Sequence, residues 1–411
     1  MKVLCVFGRH NYGDPSRGEG YEYCNFIPAL RRLGHEILFF ENRNRSRFRD
    51  FKELNEALLR TVEEYRPDVI FAVQTYYELW LETWKILRNA GIAATVNWAT
   101  DDSWRYNEFS RFVAPVFHAF TTTYPDIYAR YQRDGIFHVL LTQWATNAAN
   151  LQPPLRAAEC EYPVSFVGTA HGKRRAWIEF LGRRGINVAC FGQGWPNGPV
   201  AASDIPRIIS ESFISLNFSN SALSWKGIIP YRSNQIKART FEVPGAGGFL
   251  LTEWSDGLDR YYIPGKEIEV FKNIDELEDK IHFYLEHPAD RDEIAQAGFH
   301  RTRSQYTYDL RLAEVLEFAL AQGKQLSANR GISATGRIDW DEFEEAAQRH
   351  TMDRKLLYLK RALVGICSVV WGPLRGPRAA RRFTFELSWR LVGSHTYSAA
   401  GLPGRMFYEV S

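Results

Sequence analysis

Two periods alternate along the first part of the chain. Short apolar runs, KVLCVFG, EILFFE, DVIFAVQ, IAATVNWA, AFTTT and FHVLLTQ, are separated by stretches such as YEYCNFIPALRRLG, ELNEALLRTVEEY and ELWLETWKILRNAG, whose apolar residues recur every three or four positions. The first kind fits a strand buried on both faces, and the second an amphipathic helix. Strands separated by helices of that length are joined by crossovers, which makes the sheet parallel. Residues 1–145 are therefore expected to form one Rossmann-like domain of six strands.

Residues 146–163 carry three prolines and little periodicity, which reads as a linker. A second α/β series is expected over 164–325: VSFVG, a helix from Lys173 to Arg184, NVACFG, FISLNFS, the segment from Lys237 to Pro244, GGFLLTE, EIEVF and three helical stretches. The predicted fold class is α/β, two Rossmann-like domains facing across a cleft at the C-terminal ends of their strands. Residues 326–411 differ in character: an acidic amphipathic helix, GRIDWDEFEEAAQRH, precedes a basic and apolar stretch and an aromatic end, giving a helical, basic C-terminal extension.

With 411 residues, 45% of them apolar and 24% charged, the chain is long enough for two such domains, each with its own core. Cys5, Cys24, Cys160, Cys190 and Cys367 stand singly, which argues against a zinc site or a secreted disulfide framework and fits a reducing cytoplasm. The opening MKVLCVFG is too short for the core of a signal peptide, and no run of about 18 uncharged apolar residues is present to span a membrane. The net charge is +3, yet residues 351–383 hold eight Lys or Arg against one Asp, so the remainder of the chain carries −4. That local excess points to a local anionic partner rather than to nucleic acid. Within it, Leu356, Leu357, Leu359, Leu363, Val364 and Ile366 follow a helical spacing with Lys355, Lys360 and Arg361 interleaved. Residues 354–383 either lie on an anionic membrane surface or pack across the two domains with the basic side solvated. The expected location is cytoplasmic, peripheral on the inner face of the membrane under the first alternative.

Candidate chemistry gathers at the predicted strand ends. In KARTFEVPGAGGFLLTE, Lys237 and Arg239 supply positive charge for a diphosphate, Glu242 can accept hydrogen bonds from vicinal sugar hydroxyls, and the Gly247–Gly248 turn that follows is counted with them as donor-binding. An exposed helix with ordinary charges explains the same pattern. In VGTAHGKRR, Gly168 and Thr169 end a strand and Lys173 and Arg174 open a helix, a place that favours an anion but is also ordinary α/β architecture. Cys190 to Trp195, CFGQGW, is a candidate wall for a nucleotide base. The long polar loop GRHNYGDPSRGEGYEY suits binding or motion. Gly18 and Gly20 lack the third glycine of a dinucleotide fingerprint, which excludes an NAD site, and His10 and Glu19 either approach a reacting hydroxyl or are structural. Asp101 and Asp102 follow a strand and are flanked by Trp98 and Trp104, candidates to stack on an acceptor sugar; the carboxylates can act on an acceptor hydroxyl, as a base or by hydrogen bonding, or cap the next helix. Asp339 and Asp341 look like a metal-binding DxD, but they open a predicted helix, where capping explains them, so no obligatory metal is expected.

The stretch from Ile236 to Gly298 resembles the C-terminal domain of the CgeB-like, spore-maturation branch of the group 1 glycosyltransferases, which have the GT-B fold. The matching positions are Lys237, Arg239, Phe241 and Glu242, then Gly247, Gly248, Leu250, Leu251 and Thr252, then Gly265, Glu267 and Ile268. The likeness runs through residues 160–320 and more loosely through the N-terminal part. It implies transfer of a sugar from a nucleotide-diphosphate sugar, bound by the C-terminal domain, to a carbohydrate, lipid-linked or protein acceptor held by the N-terminal one. The nucleotide-sugar is then a co-substrate and no cofactor is obligatory. Related retaining enzymes use two glutamates, the second touching the ribose. Glu242 matches the second, while Asn234 stands where the first would be. Retention is the expected outcome, in which case the leaving phosphate takes the acceptor proton; under inversion Asp101 or Asp102 is the base. A non-catalytic nucleotide-sugar or glycan-binding protein of the same fold, and an epimerase, remain as alternatives.

Overall fold

The computed structural model describes residues 1–220, 224–226, 229–231, 234–330 and 335–408. The chain divides into two compact units, Met1–Gln143 with Leu312–Ser411, and Trp144–Arg311.

In the first unit strands and helices alternate: β1 (Lys2–Phe7), α1 (Tyr21–Arg32), β2 (Glu36–Glu41), α2 (Phe51–Tyr65), β3 (Val69–Ala72), α3 (Leu81–Ala90), β4 (Ala94–Trp98), the short turns α4 (Asp102–Arg105) and α5 (Arg111–Val113), β5 (Ala119–Thr122), α6 (Pro125–Arg133) and β6 (Val139–Leu141). The six apolar runs read from the sequence are these six strands. They form one parallel sheet in the order β2-β1-β3-β4-β5-β6. β3, β4 and β5 are buried along their whole length, as expected of strands covered by helices on both faces. The helices are placed by local signals: at α2, Asp50 accepts a hydrogen bond from Glu53 N at 2.9 Å, and Phe51, Leu54, Leu58, Leu59 and Val62 form the buried stripe.

The second unit holds β7 (Tyr162–Val167), α7 (Arg174–Arg183), β8 (Ala189–Phe191), α8 (Ile205–Ser210), β9 (Ser212–Asn217), the antiparallel pair β10 (Ser224–Lys226) and β11 (Ile229–Tyr231), α9 (Arg239–Gly245), β12 (Leu250–Glu253), β13 (Glu269–Phe271), α10 (Ile274–Glu286) and α11 (Pro288–Gln305). Its five-stranded sheet is parallel, in the order β13-β12-β9-β7-β8. The expected linker, 146–163, is docked onto this unit. Arg291, fully buried, donates to the carbonyls of Leu155, Ser212 and Phe213 at 2.8–3.0 Å, and Asp292 accepts from Ala157 N at 3.0 Å. α12 (Tyr308–Arg330) carries the chain across the unit boundary.

The expected C-terminal extension, 326–411, clusters with the first unit through α13 (Trp340–Arg349), α14 (Arg354–Trp371), α15 (Gly376–Val392) and α16 (Leu402–Met406). Ile338, Phe343, Ala346, Phe385, Tyr397 and Ala399 join the core under the N-terminal sheet. Glu342 and Glu344 of α13 pair with Lys85 and Lys52 at 2.7 and 2.8 Å. Arg45 donates to the carbonyls of Tyr77 and Tyr408, and burial pulls its pKa down to about 10. At Gly404 the backbone comes so close to Tyr77 that an added Cβ would sit 1.9 Å from the ring. Tyr77 is itself buried and cannot yield.

Gly404→Ala is therefore expected to cost roughly 1–3 kcal/mol through overpacking. Gly365→Ala, in the middle of α14 with open space around the added methyl, is expected to gain about 0.5–1 kcal/mol. Urea denaturation of both variants checks the pair; equal effects would show that the C-terminal region is not docked at Tyr77.

Candidate functional site

The strand order of the second unit reverses at β7, because β8 lies on one side of it and β9 on the other. Where the order reverses, the crossovers leave in opposite directions and open a crevice at the C-terminal strand ends. Arg174, the first residue of α7, is buried in that crevice. Its Nη1 donates to Thr169 O at the end of β7 (3.0 Å) and its Nη2 to Phe218 O at the end of β9 (3.2 Å). Burial pulls its pKa down to about 10, Glu253 opposes that fall and Arg239 adds to it. Lys173 forms an ion pair with Glu253 and lies 4.0 Å from the centre of the Trp177 ring. Glu253 ends β12 with only 1% of its surface exposed and also accepts from Ser219 N at 3.0 Å. Sequence reading gave Glu253 no role; an acid closing an otherwise apolar strand, LLTE, was the available signal.

Residues 234–242 are held at the same edge. Asn234 Nδ2 donates to Trp254 O at 2.8 Å, Gln235 N donates to Ser219 O at 2.7 Å, and Lys237 bonds the Gln235 side chain. Arg239 Nη1 lies 3.0 Å from Glu242 Oε2, off the angle of a hydrogen bond, and both side chains are largely buried. Lys173, Arg174, Lys237, Arg239 and Glu242 thus gather at the C-terminal edge of one sheet. Gly247 and Gly248 do not. They precede β12, at the opposite edge, and serve packing: an added Cβ would meet Gln152 O at 2.7 Å from Gly247, whose φ is +75°, and Ile209 at 2.6 Å from Gly248. Gly168 is a close-approach position as well. Its carbonyl accepts from Trp195 Nε1 at 2.8 Å and lies 2.4 Å from where a Cβ on Gly192 would be, so the CFGQGW turn props the end of β7.

In the first unit the order reverses at β1, with β2 on one side and β3 on the other. A cavity of about 130 Å³ opens there, lined among others by His10, Tyr12, Gly20, Glu22 and Arg43. Its walls are fixed locally. Gly20 N donates to Arg9 O at 2.6 Å, Asn11 N to Gly18 O at 3.1 Å, and His10 pairs with Glu19 in an isolated bridge. The Glu19 carboxylate pairs instead with Arg9 at 2.9 Å, and Glu19 does not line the cavity. Arg43 donates to Glu78 Oε1 at 3.2 Å and packs over Gly8, where a Cβ would be 2.5 Å from its Cδ. Glu22, in the first turn of α1, has its carboxyl pushed above the ordinary range by burial, with Arg43 pulling it back and Asp101 adding to the rise. Among the described residues only Tyr12, Arg66 and Asp101 are non-glycine residues with left-handed backbone, and two of the three stand at this edge.

The acidic pair is split by the fold. Asp101 is exposed, while Asp102 is fully buried and accepts from Tyr131 Oη at 3.1 Å, with Ser110 and Thr122 as further donors. Burial nonetheless lifts the Asp102 pKa to about 6, against the pull of those hydrogen bonds. As it stands, Asp102 is out of reach of a substrate hydroxyl. Trp98 is also fully buried, packed on Phe26, and so cannot stack on a sugar, whereas Trp104 is half-buried under the Arg105 guanidinium, 4.3 Å from its ring. Asp339 caps α13 by accepting from Glu342 N at 2.9 Å. Among the described residues no group of three His, Cys, Asp or Glu side chains is placed to hold a metal ion.

Residues 173–317 match the protein-family model described as glycosyl transferase-like. No curated protein matches the chain. Solved structures do. A glycosyltransferase from Rickettsia africae is 12% identical over 78% of this chain and 98% of that one, with a TM-score of 0.54. Sucrose-phosphate synthase from Thermosynechococcus elongatus is 14% identical over 80% of this chain and all of that one, with a TM-score of 0.51. Anabaena HepE in complex with UDP is 12% identical over 80% of this chain, with a TM-score of 0.49. The first two show that the chain has the two-sheet α/β architecture of the GT-B glycosyltransferases.

The buried Asp102 makes a pH-dependent prediction. Between its ordinary 3.8 and about 6 the native state keeps a proton that the unfolded chain releases, so this residue's contribution to stability falls as pH rises through that window. Asp102→Asn removes the titration. Relative to the wild type the variant should be more stable at pH 7.5 than at pH 4.5, by urea denaturation at both; a difference that does not change with pH would contradict the burial assigned to Asp102.

Proposed function

We propose that the chain is a glycosyltransferase that moves a sugar from a nucleotide-diphosphate sugar to an acceptor hydroxyl. The observation that carries this reading is the convergence of Lys173, Arg174 and Arg239 at the C-terminal edge of one parallel sheet, inside the segment that matches the glycosyl transferase-like model. In the transfer the bond from the anomeric carbon to the diphosphate oxygen breaks and a bond to the acceptor oxygen forms. Charge builds on the departing diphosphate, and cations fixed before the reaction stabilise it there. Lys173, Lys237 and Arg239 bind the phosphates, while Arg174, tied to two strand-end carbonyls, holds the crevice open and adds its field. Arg239 exchanges Glu242 for phosphate, and Glu242 is then released to accept from the ribose 2′- and 3′-hydroxyls.

The acceptor, a carbohydrate or a lipid-linked or protein-borne hydroxyl, belongs at the cavity of the first unit beside His10, Gly20 and Glu22. Configuration is retained, the leaving phosphate taking the acceptor proton, and the cationic side chains serve without an obligatory metal. Were configuration inverted, Asp101 or Glu22 would be the base, since Asp102 is buried. The K-x-R-x-F-E segment, Lys237 to Glu242, supports assigning the chain to the CgeB-like branch of the group 1 enzymes. One observation favours a second reading, a nucleotide-sugar binder without turnover: Asn234 replaces an acid, and its amide is already bonded to Trp254 O. Slow hydrolysis of the donor without acceptor separates the two, because a binder would show none.

The test of donor binding is a thermal-shift screen against UDP, GDP, dTDP, ADP and their sugar conjugates. One of them, at 100 times its Kd, should add about 2.7 kcal/mol of stability. Arg239→Ala and Glu242→Ala, each compared with its own ligand-free melting temperature, should lose that shift. No shift with any nucleotide, or an undiminished shift in both variants, would overturn the assignment.

A further inference from the structure

Two helices near the C-terminus carry large apolar side chains on their outer side. α14 and α15 close on each other at Gly376, where an added Cβ would lie 2.1 Å from Ser368 Oγ, and the chain bends by 118° between them. The inner face of α14 is occupied: Leu356, Leu363 and Cys367 pack with Ala380, Met406 and Phe407. Along the outer face exposure rises toward the turn, from 63% at Ile366 to 88% at Val369 and 92% at Leu374, with Val370 and Trp371 more than half exposed. This is a contiguous apolar end, unlike the scattered apolar residues of an ordinary surface.

Its charge is as one-sided as its hydrophobicity. Residues 354–383 include eight Lys or Arg and no Asp or Glu. Arg354, Lys355, Arg361, Arg375, Arg378 and Arg382 are exposed; Arg375 follows Leu374 in the turn and Arg378 stands in the first turn of α15.

We propose that the α14–α15 turn inserts shallowly into the surface of an anionic lipid bilayer, with Val369, Val370, Trp371 and Leu374 at the acyl boundary and the surrounding arginines on lipid phosphates. Apolar protrusion inside a collar of cations is the complement of a bilayer surface, which offers an apolar layer beneath a negative one. Lying on the surface is favoured over crossing it. Among the described residues no single helix is long and apolar enough to span a membrane, and α14 and α15 meet that requirement only together, across the bend. The inference is independent of the nucleotide site.

Flotation of the full chain with vesicles tests it. Binding is expected to vesicles of phosphatidylcholine containing phosphatidylglycerol, to be far weaker with phosphatidylcholine alone, and to fall as salt rises. Leu374→Asp and Val369→Asp, both at largely exposed positions, should abolish flotation while leaving circular dichroism and melting temperature unchanged. Arg375→Glu/Arg378→Glu should weaken it by more than tenfold, since each cation near the surface is worth about a fivefold change in partitioning. Two results would overturn the proposal: an absence of flotation with anionic vesicles, or equal flotation of Leu374→Asp. A third would reassign the surface to contact between copies: light scattering that finds a wild-type dimer which Leu374→Asp converts to monomer.

Discussion

A parallel strand can be reached only by a crossover, and that constraint arranges everything else in this chain. Each crossover returns the chain to the same edge of the sheet, so both units deliver all their strand-to-helix loops at their C-terminal edges. The order then reverses once in each sheet, at β1 and at β7, and the candidate site residues lie at the C-terminal strand edges where those reversals fall. In the second unit the crevice holds Arg174, whose two strand-end carbonyls are the acceptors that the diverging strands leave over. In the first it holds the cavity lined by Glu22 and Arg43.

The cations of the second unit are matched internally. Lys173 has Glu253, Arg239 has Glu242, and Lys237 has the amide of Gln235. Burying a charge without a partner is costly, so these pairings let a cluster of positive charge form beside a largely apolar sheet. They also shape what a ligand has to do: an incoming diphosphate displaces carboxylates and amides as well as water. Arg174 is the exception, with its contacts made to backbone, and so it acts as a fixed feature of the crevice while its neighbours exchange partners.

The strands of both sheets were legible because each is a short apolar run between polar turns, and Asp339 was legible as a cap from its place before an amphipathic helix. What escaped the sequence was direction. Asp101 and Asp102 are adjacent and alike, yet a left-handed residue at Asp101 sends one outward and the other into the core. Gly247 and Gly248 count with the donor-binding residues until the sheet shows that they lie at its N-terminal edge. Glu253 went unread because an acid after an apolar strand resembles any strand terminus, and only the approach of Lys173 from β7's loop gives it a role. The C-terminal helices were recognisable as helices, but periodicity says which face is buried and not what buries it; Tyr77 and Arg45, about 320 and 360 residues away in the chain, do that.

The most direct measurement is a structure of the chain with the nucleoside diphosphate that stabilises it. The diphosphate should lie against the N-terminus of α7 and Arg239, with the Arg239–Glu242 pair opened and Glu242 on the ribose. A nucleotide seated elsewhere, with Arg239 still paired to Glu242 and Lys173 still on Glu253, would contradict the donor site at its foundation.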